Sequence, residues 1–124
     1  MIAADTSSMS AFLLGEAGAD VEALRECILA GNLCLPPVVV TELLSDPRAG
    51  AQILQPLSNV AMLVSTEGYW VRDGDTRRKL KARGLKCKIA DALIAQSCID
   101  HDVALITRDG DFRHFAKYCG LKLA

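Results

Sequence analysis

Four short apolar runs constrain this chain more than any other feature: Ile2–Ala4, Leu33–Leu35, Ala61–Val64 and Ala104–Thr107. Each is a few residues long, and the segments between them are long enough to hold a helix. Strands this short, joined by long crossovers, cannot form a meander of tight hairpins. They pair side by side and need helices over their faces. The pattern predicts a three-layer α/β/α sandwich around a short, mostly parallel sheet.

The intervening segments carry helical signals. Asp20 is placed to cap a helix through Ala30, with Val21, Leu24, Ile28 and Leu29 at helical spacing and Gly31 ending it. Pro37 suits the first turn of a helix running to Leu44, which Pro47 closes. Further helices are expected over 49–54, from Thr66 to Gly84, over Lys88–His101 and over Gly110–Ala116, with a final strand at Leu121–Leu123.

A chain of 124 residues with 51% hydrophobic composition has material for one compact core. It shows neither a membrane-length apolar segment nor a basic leader running into one, so a cytoplasmic protein is expected. The five cysteines are odd in number and scattered, which reads as reduced thiols. Net charge is −1, which excludes a protein that coats nucleic acid by sheer positive charge. Yet eight of the fourteen basic residues (Arg72, Arg77, Arg78, Lys79, Lys81, Arg83, Lys86 and Lys88) fall between positions 72 and 88. Such a run is either a solvated helix face or an anion-binding one.

The acids are more informative. In an open parallel sheet, sites form beyond the carboxyl ends of the strands; Asp5 directly follows the first strand and Asp109 follows a later one by two residues, so both belong at that edge. Alone, the Asp-Gly pair beginning at Asp109 could be a turn or a helix cap. Asp91 shares a helix face with Ile94, Ala95 and Cys98, so it needs a cation, a shifted pKa or a cleft, Lys88 being the nearest salt-bridge partner. Glu42 repeats the pattern beyond Val38 and Val39. Carboxylates gathered together repel, and a divalent cation relieves the repulsion. An all-oxygen set favours Mg²⁺ or Mn²⁺, and His101 and His114 are badly spaced for zinc. The chemistry implied is metal-assisted phosphodiester hydrolysis.

"AADTSSM", "VVVTELL", "KIADALIA" and "ALITRDGDF", in that order, resemble the PIN-domain ribonucleases, and in particular the VapC-like toxins of toxin–antitoxin pairs. The resemblance spans residues 1–124 as a single PIN-like nuclease domain. It implies metal-dependent endonucleolytic cleavage of RNA with Asp5, Glu42, Asp91 and Asp109 as the catalytic acids. Asp5 and Asp91 would be the direct metal ligands, Asp109 would complete the shell, and Glu42 would orient or deprotonate the attacking water. Thr6 matches the small hydroxyl residue that follows the first acid and would position a water. Either aspartate of "TRDGDF" could face the metal; Asp109 is nearer the strand end, which leaves Asp111 as cap or reserve.

Lys88, Arg108 and Arg78 are candidate RNA-binding residues. Tyr69 and Trp70 could stack on a base, although core packing is the commoner fate of such rings. The resemblance also implies a homodimer and a cognate antitoxin offering an arginine to the carboxylates. Two other readings share these residues. One is a catalytically inactive PIN-like module that binds RNA or protein. The other is a small phosphatase or phosphotransfer receiver domain; a receiver would carry an aspartate at the end of a middle strand where "AMLVST" has none.

Overall fold

The computed structural model describes residues 1–48 and 50–124, and for residues 51, 52 and 54 the backbone alone. Its elements run β1 (Ile2–Ala4), α1 (Thr6–Leu13), α2 (Ala19–Ala30), β2 (Leu33–Leu35), α3 (Pro37–Ser45), α4 (Ala51–Leu57), β3 (Ala61–Met62), α5 (Tyr69–Ala82), α6 (Ile89–Asp100), β4 (Ala104–Ile106), a 3₁₀ turn (Gly110–Phe112) and α7 (Arg113–Cys119). The four strands lie in the order β3-β2-β1-β4, every pairing parallel. This is the expected α/β architecture, with a sheet that is parallel throughout among the described residues.

The strand order makes β1 the pivot. The chain leaves β1 for β2 and β3 on one side, then returns to lay β4 on the other, in register Ile2↔Ala104 through Ala4↔Ile106. A reversal of this kind opens a crevice at the carboxyl ends of the two strands it separates, here β1 and β4. The central strands are buried as near-continuous apolar runs, as a sheet covered on both faces requires. Met9, Leu24, Leu35, Val39, Leu80, Ile94 and Leu105 close the core together with Phe112 and Phe115, whose ring centroids are 5.8 Å apart.

Several boundaries differ from the expectation. Gly18, not Asp20, is the N-cap residue of α2, because the Asp20 carboxylate is taken by Ser8 and Arg108. The helix expected from Thr66 starts at Tyr69, after Gly68 has turned the chain with φ 81°. Strand β3 has two residues, although Leu63 N–H still reaches the Leu35 carbonyl at 2.9 Å. The expected strand at Leu121–Leu123 is a single bridge, Leu105↔Leu123, too brief to form a ladder. Of the helix expected over 49–54, Ala49 lies outside the described residues, Gly50 is the N-cap of α4, and 51–54 fall within it. All five cysteines are free, four of them buried.

Candidate active site

The β1–β4 crevice is built from the strand ends outward. Asp5 ends β1 and caps α1, accepting the Ser8 backbone N–H at 2.9 Å. It is 2% exposed, and its carboxylate also receives Ser7 Oγ and, at 2.6 Å, Thr107 Oγ1. A buried carboxylate demands partners of this number. Thr107, just beyond β4, then accepts the Asp109 N–H at 2.9 Å, so one hydroxyl ties the acid of β1 to the acid after β4. Beside this clasp, Thr6 Oγ1 donates to Glu42 Oε1 at 2.6 Å and fixes the rotamer of the glutamate on α3.

Asp109 caps the 3₁₀ turn by accepting the Asp111 N–H at 2.9 Å, so the capping role falls to Asp109 and not to Asp111. The turn swings Asp111 back toward Asp91, which stands in the first turn of α6. One oxygen each from Asp91, Asp109 and Asp111 lies within 4.8 Å of the others. Burial raises the Asp91 pKa from 3.8 to about 6, and the charge of Asp109 adds to the rise. Lys88 opposes it, and Asp111 and Glu42 contribute less. Lys86 approaches Asp111 at 4.0 Å.

The crevice therefore brings together Asp91, Asp109 and Asp111 directly, with Glu42 close enough for its charge to reach Asp91 and Asp5 joined to Asp109 through Thr107. Asp5 is not one of the three carboxylates within that span. Three oxygen donors with no histidine or thiolate suit a hard divalent cation. Sequence reasoning did not single out Thr107 or Ser7. Their signal is modest: a hydroxyl residue beside each strand-end aspartate.

The candidate RNA-binding residues separate. Lys88 is exposed at the N-cap of α6 beside the acids. Arg108 is turned away by Asp20, which it grips at 2.8 and 3.1 Å, and by Glu16 at 3.6 Å; the ion pair holds the Asp20 carboxyl down at about 2. Arg78 lies out on α5, paired with Asp75 at 2.5 Å. The two aromatics also part company. Tyr69 is buried with its hydroxyl donating to the Leu93 carbonyl at 2.7 Å, whereas Trp70 is 69% exposed, contrary to the core packing expected of both.

No curated protein matches the sequence. Solved structures do match in fold: VapBC2 from Rickettsia felis, bound to a DNA fragment from its promoter, has a TM-score of 0.78 at 20% identity and is covered to 98%, with all of this chain aligned. FitAcB from Neisseria gonorrhoeae aligns with all of this chain and 97% of its own, at a TM-score of 0.74 and 19% identity. FitAB bound to the IR36 DNA fragment aligns with all of this chain and 94% of its own, at 0.71 and 19%. At these identities the likeness establishes the fold. The PIN domain family model goes further, matching residues 2–118, the stretch that carries every acid of the crevice, and the chain belongs to the PIN-domain family.

Proposed function

We propose that this chain is a divalent-metal-dependent endoribonuclease and the toxin of a VapBC-type toxin–antitoxin pair. The observation that carries the reading is the convergence of Asp91, Asp109 and Asp111 to within 4.8 Å on a crevice that also holds Glu42 and Asp5. Membership of the PIN-domain family and the fold shared with VapBC2 and FitAB support it.

A bound Mg²⁺ or Mn²⁺ would supply the counter-charge for the acids and polarise the scissile phosphate. Asp91 and Asp109, with Asp111, are proposed to hold it, and Asp5 to organise their loops through Thr107 or to join the ligand set through a water. Glu42, steadied by Thr6, would orient the attacking water and take its proton. Lys88, exposed at the rim, would meet a phosphate of the RNA. The partners proposed are the RNA, a second copy of the chain and an antitoxin whose arginine pairs with the crevice acids. The cytoplasm is the compartment this reading requires. No helix among the described residues is long and apolar enough to cross a membrane.

The test is incubation of the purified chain with defined structured RNAs, with and without Mn²⁺, and mapping of the ends. Metal-dependent products with 5′-phosphate and 3′-hydroxyl ends are expected. A cyclic phosphate product, or undiminished cleavage in excess EDTA, would overturn the reading.

A further inference from the structure

The eight basic residues between 72 and 88 are not one face. Arg72 is locked onto Asp100, with 2.7 Å between Nη2 and Oδ2, and the Arg83 guanidinium stacks 4.1 Å above the centre of the Tyr118 ring. Arg77, Arg78 and Lys81 instead share one side of α5 with Gly74 and Ala82, at the i, i+3, i+4, i+7, i+8 spacing of a helical stripe, and line an open groove of about 520 Å³. Lys86 lies 4.0 Å from Asp111, and Lys88 stands close enough to Asp91 for its charge to reach that carboxylate. The Arg77 Nε–H donates to the Cys87 carbonyl at 3.0 Å, which pins the stripe to the loop carrying both lysines.

Gly74 supplies an independent observation. It sits inside a 14-residue helix, where glycine is unfavourable relative to alanine. No positive φ calls for it, and a Cβ there would meet no atom of the described residues within 4 Å. The fold of the chain gives it no reason to be glycine. What its missing side chain does provide is a bare stretch of helix lining the basic groove, the kind of surface that allows close approach by a ligand backbone.

We infer that this groove of α5 seats the phosphate backbone of single-stranded RNA on its way past Lys86 and Lys88 to the acid crevice. Gly74 gives the strand room, and Arg77, Arg78 and Lys81 meet successive phosphates. The exposed Arg78–Asp75 pair, of the kind worth little in water, gives way to a phosphate contact. The inference rests on the nuclease reading and adds to it the path of the substrate.

The probe is a 5′-fluorescein polyuridine RNA, followed by anisotropy in EDTA over a range of NaCl concentrations, with polyglutamate as the competing acidic-peptide arm. The variant Gly74→Ala should melt at a higher temperature yet bind RNA several-fold more weakly, a combination that a purely structural glycine would not produce. The double variant Arg78→Gln/Lys81→Gln should weaken binding about tenfold and reduce the slope of log K against log[NaCl] by about 1.4, for two lost phosphate contacts. In Mn²⁺ both should raise KM for RNA cleavage at unchanged kcat. RNA binding and KM equal to wild type in both variants, or a loss confined to polyglutamate, would overturn the groove while leaving the nuclease standing. A wild-type chain that neither binds nor cuts RNA would remove both.

Discussion

Asp91 is a carboxylate whose folded surroundings favour its proton. Its pKa rises from 3.8 to about 6, so the folded state binds more protons than the unfolded one between those values, and stability falls as pH climbs through the window. In EDTA, denaturant unfolding at pH 7.5 should find Asp91→Asn more stable than wild type by on the order of 2 kcal/mol, after discounting for partial exposure, with the difference vanishing below pH 4. The same variant should abolish cleavage. Thr107 has the opposite character, because its hydroxyl serves Asp5 and Asp109 at once. Thr107→Val keeps the shape and should cost about 2 kcal/mol, read from the denaturation midpoint, by leaving a buried carboxylate short of a donor. At this scale the sequence was partly legible. Asp91 declared itself through its apolar stripe, since a carboxylate beside Ile94 and Ala95 needs an explanation. The division of labour between Asp109 and Asp111 did not, because a cap is decided by one backbone N–H whose direction no spacing rule reveals.

Between elements, the α5–α6 pair shows how a charge run misleads. Arg72 forks onto Asp100 and also donates to the Glu67 carbonyl and to Thr66 Oγ1, both at 2.8 Å. Gln96 reaches Asp100 at 2.8 Å and accepts from Thr76, so the two helices are joined by a polar network of buried and half-buried groups. The Arg72 guanidinium holds the Asp100 carboxyl below the usual carboxylate range. That stability is complete above the ordinary carboxylate pKa and is lost as pH falls below it. Arg72→Met should therefore lower stability at pH 7 and flatten the acid limb of the pH–stability curve, as followed by circular dichroism. Hydropathy and charge located α5 as a long polar helix, but which of its cations turn inward depends on acceptors in α6 that lie far along the sequence.

For the whole molecule, alternation of strand and helix was sufficient to read a covered parallel sheet. Strand order was not readable, because three-residue ladders carry no register signal strong enough to choose a neighbour. That order decides where the acids meet; their placement at strand ends and on apolar helix stripes pointed to a shared edge, and the resemblance supplied the role of each. A cation bound by the folded crevice and not by the unfolded chain should raise Tm, by about 2.7 kcal/mol of stability at a hundredfold excess over Kd. Differential scanning fluorimetry with Mn²⁺ should show this for wild type and not for Asp91→Asn. The Thr107–Asp5 hydrogen bond, between residues 102 positions apart, has a further consequence. During synthesis the ribosome releases Asp5 first, but the β4 segment that completes the pocket comes only after most of the domain has emerged. In a nascent chain the acid pocket therefore stays unassembled until Thr107 has emerged, because until then Asp5 lacks the hydroxyl that ties it to Asp109.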